Sequence, residues 1–503
     1  MKRRPRRALS GIPAVLAFEP TTNAADMTRR PCPPHHLFPL LASMVSLAMA
    51  AVTADAGTPP EHGLVRIAVL TGNYHGLPEQ DSGDGPEFGA SIAIDGDWMA
   101  VGAPGTVVGN PPGEKLGAVF LFKRNGQQWE YRHRVTGFPW GPAPRCGHSV
   151  ALKLPRVALG CPEATQPAVP GSKAGAFVNA SLHEDNWNPA WGVISNDVGA
   201  ECGRAIALTP YVLDAPHHTL VGCPGDDQGR GSIWRFTNGN QNGKLTAADG
   251  QPGDRFGEAL SLYRLVFAGT WQTLAVGAPG RSLGPAAQSG AVYVFQGADF
   301  IPTSTLTYPN GHLYPHTRFG TAVAANFSNI LVGAPGGTGS GSACQTVPRC
   351  GNIHRYTQPE GIWLRQDGGE AVNAGGEPPG GQAGMEFGSV LALGSGNWLA
   401  ASAPLADRST ATLPPAIAAD VGMVELRRAD DGSYGAGTGE TRGELRPGTI
   451  LPGASGGRFG TGLAFGADHL AIGYPRQRTL MGQRRGQVWV YVSDRIFVDG
   501  FEP

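Results

Sequence analysis

Six cysteines, Cys146, Cys161, Cys202, Cys223, Cys344 and Cys350, are the side chains of this chain best suited to covalent or metal chemistry. None stands in a C-x-x-C pair, so zinc has little support, and an oxidising compartment would make them disulfides. A catalytic set is harder to assemble. Gly453-Ala454-Ser455-Gly456-Gly457 matches the serine-hydrolase elbow as a string, but that chemistry needs a strand-to-helix turn with a His and an acid beside it. The segment reads instead as a glycine-rich connector. Asp226-Asp227 and the acidic stretch 81–84 read as solvated loop charges. His217, His218, His312 and His316 read as surface loop residues. Trp98, Trp234, Trp271 and Trp489 fall in or beside β-rich runs and read as packing residues, whereas Trp140, Trp187 and Trp191 fall between runs, where exposure is expected. No catalytic, cofactor-binding or metal-ligating residue is assigned on this reading.

The elements that must position these residues form a repeat. Phe88-Gly89, Cys146-Gly147, Cys202-Gly203, Phe256-Gly257, Phe319-Gly320, Phe387-Gly388 and Phe459-Gly460 recur at intervals of 54 to 72 residues. Each is followed by a second element: Gly102-Ala103-Pro104, Gly160-Cys161-Pro162, Gly222-Cys223-Pro224, Gly277-Ala278-Pro279, Gly333-Ala334-Pro335, Ser402-Ala403-Pro404 and Gly473-Tyr474-Pro475. A third closes each unit, as in Gly117-Ala118-Val119-Phe120 and Gly290-Ala291-Val292-Tyr293. Short runs rich in Val, Leu and aromatics, bounded by Gly and Pro, are consecutive antiparallel strands. Seven such units make an all-β array. With 75 glycines among 503 residues and only 16% charged residues, the composition suits many tight turns between closely packed sheets.

These residues resemble the FG-GAP repeat, the unit of the seven-bladed β-propeller of integrin α subunits and of many bacterial exported proteins. The resemblance runs over residues 62–493. It implies a ring of four-stranded blades and a role in adhesion or ligand binding. Many FG-GAP hairpins also carry a calcium loop of three or more Asp or Asn residues with a Gly. The equivalent turns here are Asp95-Gly96, Lys153-Leu154, Asn326-Phe327 and Gly466-Ala467, too few oxygens for calcium, so the metal is not carried over.

Strand pairing follows from the spacing. Setting Phe88 opposite Ala103 centres a hairpin turn on Asp95-Gly96, a strong tight-turn pair. The same frame sets Cys146 opposite Cys161, and Cys202 and Cys223 occupy the equivalent positions of the next unit, close enough for disulfides. Cys344 and Cys350 then close a small loop. After Val488-Trp489-Val490-Tyr491 too little chain remains for a fourth strand, while an orphan β-run, Leu64-Val65-Arg66-Ile67-Ala68-Val69-Leu70, precedes the first unit. That run is expected to complete the seventh blade, closing the ring and hiding its sheet edges.

The ends read as processing segments. Arg29-Arg30, an apolar run over 37–52 and Ala54-Asp55-Ala56 have the order of a secretory signal. Residues 1–56 are therefore set apart; Met27 is an alternative start, and 1–26 otherwise a long leader. The tail 494–503 reads either as a sorting tag or as a plain terminus. Seven basic and three acidic residues lie in 1–56, leaving 32 basic against 37 acidic, a net of −5. A mildly acidic chain without a Lys/Arg run is a poor nucleic-acid binder. No segment beyond the leader is apolar enough to span a bilayer.

An exported, non-enzymatic recognition or adhesion protein with an extracellular protein or glycan ligand is the function this pattern supports. The alternative is a propeller-fold glycan lyase or hydrolase, which would need carboxylates or a His converging on the central channel. The strands near Phe88, Phe256, Phe319, Phe387 and Phe459 are expected to bring aromatic and small residues there. Long second-to-third connections, over 106–116, 163–173, 336–349, 405–420 and 476–485, share one face with blade-to-blade connections such as 71–87 and 368–386. Recognition is expected on that face, near the axis. Non-reducing peptide mapping should recover the links 146–161, 202–223 and 344–350; free thiols or a 161–202 link would contradict the repeat frame.

Overall fold

The glycine-bounded runs become seven four-stranded antiparallel sheets, six of them with their strands in chain order from a, nearest the axis, to d at the outer edge, and the seventh completed by an N-terminal strand. Blade 1 comprises Ser91–Asp95, Trp98–Ala103, Ala118–Asn125 and Gln128–Thr136, and blade 2 Ser149–Lys153, Arg156–Cys161, Ala176–His183 and Asn186–Ile194. Blade 3 comprises Ile206–Leu208, His218–Cys223, Ser232–Thr237 and Asn240–Leu245, and blade 4 Ala259–Leu265, Trp271–Ala278, Ala291–Gln296 and Ile301–Thr307. Blade 5 comprises Ala322–Ala325, Asn329–Ala334, Asn352–Thr357 and Leu364–Arg365, and blade 6 Val390–Leu393, Trp398–Ala403, Met423–Arg428 and Glu440–Leu445. Blade 7 comprises Leu463–Phe465, His469–Tyr474 and Gln487–Ser493, with Leu64–Thr71 as its strand d. A small hairpin of Arg408–Ser409 and Ile417–Ala418 sits in the b–c connection of blade 6. This computed structural model describes residues 64–71, 85–107, 115–141, 143–167, 169–183, 186–212, 215–265, 271–308, 314–337, 349–358, 364–365, 384–395, 398–409, 417–428, 440–447, 455–477 and 484–493. The expected leader over 1–56, Cys344, His312, the stretch 81–84 and the tail 494–503 lie outside them. Residues 60–503 form one unit, distinct from 1–59.

The N-terminal run closes the ring as expected: Val65 pairs with Val492 and Leu70 with Val488, across a register shift between Arg66 and Ala68. Closure leaves no blade without neighbours on both faces.

Backbone contacts join the blades, and they explain the repeated motif. The residue of each Phe/Cys–Gly pair that precedes the glycine forms a parallel bridge with the glycine opening strand c of the blade before it. The seven bridges are Phe88 with Gly486, Cys146 with Gly117, Cys202 with Gly175, Phe256 with Gly231, Phe319 with Gly290, Phe387 with Gly351 and Phe459 with Gly422. The motif glycine then donates its N–H to the first residue of the Gly-Ala-Pro element in its own blade, as from Gly89 to Gly102 (2.9 Å) and from Gly257 to Gly277 (3.0 Å). Its carbonyl lies against the corresponding glycine of the preceding blade. A Cβ on Gly277 would stand 1.9 Å from the Gly320 oxygen, and one on Gly160 1.9 Å from the Gly203 oxygen. No side chain fits there.

Seven apolar clusters fill the seven gaps between blades, and the motif Phe or Cys belongs to each: Phe88 packs against blade 7 and Phe459 against blade 6. These Phe rings are fully buried, which contributes about 2 to 3 kcal/mol apiece. This corrects the expectation that they reach the channel. Where Cys146 and Cys202 replace Phe, other rings take the volume: Trp98 meets Trp187 edge-on at 5.4 Å, and Phe177 meets Phe236 at 4.8 Å. Disulfides join Cys146 to Cys161 and Cys202 to Cys223, with Cα–Cα distances of 4.0 Å in both. Cys350 is buried and disulfide-bonded.

The hairpin turns lie one residue later than expected. Asp95 pairs with Trp98 around Gly96-Asp97, and Lys153 with Arg156 around Leu154-Pro155, while Ala325 pairs with Ile330 and Phe465 with Leu470. The cause is the inter-blade bridge, which holds the motif residue in a turn ahead of strand a, outside its ladder. Cys146 is accordingly out of register with Cys161, since Ser149 is the partner of Gly160; the turn brings the two sulfurs together.

Gly277→Ala should lower the free energy of unfolding by about 3 kcal/mol or more, because a backbone oxygen occupies the space a Cβ needs. Gly297→Ala, at φ +77° with nothing within 4 Å of the added carbon, should cost only about 1 to 2 kcal/mol of left-handed strain. Urea denaturation of the pair separates contact from strain.

Candidate functional site

In an up-and-down blade the b–c connections and the entries to strand a share one face of the ring. Hydrogen bonds join them: Gly105 donates to Pro86, Glu163 to Pro144, Gly225 to Ala200, Gly280 to Asp254, Gly336 to Thr317 and Arg476 to Gly457. The residue entering each strand a, just before the motif, is Glu87, Arg145, Glu201, Arg255, Arg318, Glu386 or Arg458, always charged and always left-handed at φ 52° to 59°. Its carbonyl accepts the N–H three residues on, as Glu87 does from Ala90 and Arg458 from Thr461, and glycine at the third position supplies the positive φ such a turn needs. The seven charges therefore surround the axial mouth.

Most of them pair between blades. Arg145 reaches Glu87 at 2.6 Å and Glu163 at 3.4 Å, and Arg476 also reaches Glu87 at 3.0 Å. Arg255 bridges Glu201 (2.7 Å) and Glu258 (2.8 Å), and Arg204 completes that group at 2.9 Å from Glu258. Burial acts to raise the Glu258 carboxyl, but Arg204 and Arg255 outweigh it and hold the group below its ordinary value. Glu386 meets Arg318 at 4.0 Å and also pairs with Arg349. The signal was present in the sequence: a Glu or Arg stands before all seven motif pairs. Sequence reasoning missed it because the motif pair beside it is the stronger pattern.

Below the mouth, the seven a strands enclose a channel of about 320 Å³ lined by Ala, Leu, Ile and Val, with Phe465. Its polar lining residues are Lys153 and Ser261. Lys153 is bonded to Asp95 at 3.0 Å, and Ser261 Oγ accepts the Ala325 N–H at 2.9 Å, so both serve blade-to-blade contacts. Among the described residues no three His, Cys, Asp or Glu side chains converge as a metal site.

Several single residues fall elsewhere than expected. Asp226 is buried, accepting from Ser232 Oγ at 2.5 Å and Lys244 Nζ at 2.8 Å, because the b–c turn of blade 3 folds over it; Asp227 stays exposed. His218 is buried in strand b of blade 3, with Nδ1 2.9 Å from Thr237 Oγ1, while His316 is exposed. Trp187 is in strand d of blade 2 and is fully buried, turned toward Trp98. Trp140 is partly buried, 5.0 Å from Phe138. Trp98, Trp234 and Trp489 pack between blades as expected. Ser455 is exposed in a turn, without a helix behind it.

The FG-GAP repeat family model matches residues 77–122 and 240–295. No curated protein sequence matches the chain. Among solved structures, the Dos1 propeller is similar at 11% identity and a TM-score of 0.40, over 78% of this chain and 74% of that one. A "putative 6-phosphogluconolactonase" from Bacteroides fragilis NCTC 9343 is similar at 10% identity and a TM-score of 0.42, over 71% and 84% respectively.

Two histidines make this architecture sensitive to acid. Burial, then Arg204 and Arg145, depress His148 to about 3 against the opposing pull of Glu258; it keeps some exposed surface but protein crowds it closely. Burial, then Arg235 and Arg264, depress His218 to about 4. An unfolded His binds its proton near pH 6.5 while the folded ones stay neutral, so their stabilisation is complete above that pH. It is lost as pH falls toward the folded values, by up to about 1.4 kcal/mol per pH unit for each site. Urea midpoints should fall between pH 7 and pH 5, and His148→Gln and His218→Gln should each flatten that slope.

Proposed function

Taking as premise that the chain is an FG-GAP repeat protein folded as a seven-bladed propeller, we propose that it is an exported, non-enzymatic recognition protein whose loop-rich face contacts an extracellular protein or glycan. The observation that carries this reading is the asymmetry of the two faces. The b–c and blade-to-blade connections and the ring of charges from Glu87 to Arg458 all lie on one side, whereas most a–b turns on the other are tight, as at Gly96-Asp97 and Leu154-Pro155. Irregular loops on a rigid scaffold are where recognition residues are usually displayed. The rim is built for this: its backbone is pinned by hydrogen bonds, so side chains there are held with little ordering cost on binding.

Export is supported by the disulfides of blades 2 and 3, which oxidising compartments favour, and by the leader pattern over 1–56. No helix among the described residues is long and apolar enough to cross a membrane. The aliphatic channel supplies no acid–base pair among its lining residues, which favours the rim as the contact surface.

A glycan and protein array probed with the purified chain identifies the ligand class. Replacing 405–420 and 106–116 by tight turns should then weaken binding to that ligand at least about tenfold, about 1.4 kcal/mol, with the thermal midpoint unchanged within a few degrees. Undiminished binding by the shortened, folded protein would remove this reading.

A further inference from the structure

Exposed apolar surface is spread unevenly over the loop-rich face. Of the nine large apolar side chains exposed among the described residues, Phe138 (37%), Val169 (42%) and Val198 (65%) stand on three adjoining loops, 137–146, 163–175 and 195–204, at blades 2 and 3. Trp140 lies 5.0 Å from Phe138, and both rings cover Gly192 of strand d in blade 2, where a Cβ would meet Trp140 at 2.4 Å and Phe138 at 2.9 Å. Hydrogen bonds fasten the loops to one another: the Thr165 N–H donates to Trp140 (2.9 Å), Gln166 Nε2 to Ser195 (2.9 Å), the Gly199 N–H to Ser172 (2.6 Å) and the Glu201 N–H to Lys173 (3.1 Å). The apolar side chains are thus carried on one fixed backbone.

The charges of the same loops do not cancel. Their three acids are all engaged within the protein, Glu163 by Arg145 at 3.4 Å, Asp197 by Lys244 at 3.2 Å and Glu201 by Arg255 at 2.7 Å. Two cations remain available. Lys173 is exposed, and among the described residues its ammonium has no hydrogen-bond or ion-pair partner. Arg204 is bonded to Glu258 through Nε alone, at 2.9 Å, which fixes the guanidinium while Nη1 and Nη2 stay open, with 37% of the side chain exposed. The backbone keeps the two close: the Lys173 carbonyl accepts from Glu201, whose own carbonyl accepts the Arg204 N–H at 3.2 Å. The uncompensated charge of these loops is therefore positive.

We propose that these loops dock a protein segment that carries a large apolar side chain beside an Asp or Glu, the apolar group on Phe138, Trp140, Val169 and Val198 and the carboxylate on Lys173 and the open end of Arg204. The inference rests on the reading that the loop-rich face contacts a ligand, and it names that ligand as protein. A guanidinium presents a planar pair of donors matched to the two oxygens of one carboxylate. Protein interfaces combine an apolar anchor at the centre with charged groups around it, and both parts are present on this fixed surface. A sugar fits less well. Val169 and Val198 are aliphatic and offer no ring for a sugar face to stack on, while a neutral glycan would leave both cations uncompensated. A polyuronate would answer the cations but lay hydroxyls against the apolar patch, where they lose water without gaining partners.

The test is binding of the purified chain to an immobilised random copolymer of glutamate and tyrosine, with poly-glutamate, a lysine–tyrosine copolymer and polygalacturonate as comparison surfaces. The glutamate–tyrosine copolymer should be bound about tenfold more tightly than poly-glutamate, because the apolar anchor supplies most of the affinity, and the other two surfaces should not be bound. Salt should weaken the interaction by about threefold between about 50 and 200 mM, as screening shortens the range of the two cations. The double variants Lys173→Gln/Arg204→Gln and Val169→Ser/Val198→Ser should each bind the copolymer about tenfold more weakly at an unchanged melting temperature. Arg132→Gln and Ile301→Ser, exposed in strands d of blades 1 and 4, should bind as the parent does. Equal binding to the lysine–tyrosine copolymer, preference for polygalacturonate, or double variants indistinguishable from the parent would overturn the proposal. If loop shortening abolishes binding to an array ligand that both double variants still hold, the docking site falls and the reading of the face stands.

Discussion

A glycine carbonyl pressed against a glycine Cα is the contact on which the ring depends. In six of the seven joints the carbonyl of the motif glycine sits where the preceding blade has no side chain, at about 2 Å from where a Cβ would be for Gly102, Gly160, Gly222, Gly277, Gly333 and Gly473. The parallel bridge beside it uses a second glycine, at φ 73° to 90°. Blade 6 shows the effect of relaxing the rule. Ser402 replaces the first of these glycines, and a Cβ on Gly460 would stand 2.8 Å from the Ser402 Cβ, so the neighbour must remain glycine. The two halves of the motif are thus two sides of one close approach, made between consecutive blades and completed between blade 7 and blade 1.

Because backbone holds the inner joints, side chains are released for other work. Apolar ones fill the wedge between neighbouring blades, where Phe88, Phe256, Phe319, Phe387 and Phe459 are completely buried. Small aliphatic ones line the channel, and Ser91 and Ser149 bond across to Gly147 and Gly203 of the next blade. Charged ones collect at the entries to the a strands, where the left-handed turn lifts Glu87, Arg145, Glu201 and Arg255 out of the ladder toward one another. The disulfides of blades 2 and 3 obey the same logic. They occur where Phe is missing, and they bind the motif turn covalently to strand b.

The charged rim also shows why seven blades cannot be electrically symmetric. Alternating signs pair neighbours, as Glu87 with Arg145 and Glu201 with Arg255, but an odd ring must leave like charges adjacent somewhere. Here Arg255 and Arg318 are consecutive, and Arg458 comes after Glu386, whose contacts are with Arg318 and Arg349. In these pairs the glutamates are the more buried partners, Glu87 among them, while the arginines stay partly exposed.

Sequence alone determined the all-β class, the seven units, the use of Leu64–Thr71 as the closing strand and the Cys146–Cys161 and Cys202–Cys223 pairs, because each of these rests on local patterns repeated at a readable interval. Tertiary structure decided what the intervals could not express. The motif residues belong to joints between blades, so counting from Phe88 to Ala103 as one ladder displaced the turns by one residue. Burial of Asp226, His218 and Trp187 depends on a turn or a neighbouring blade folding over them, and nothing within a few residues announces it. The ring of charges was legible as a Glu or Arg before every motif pair, yet its pairing was not, since Glu87 meets Arg476 only when the last blade comes round to the first.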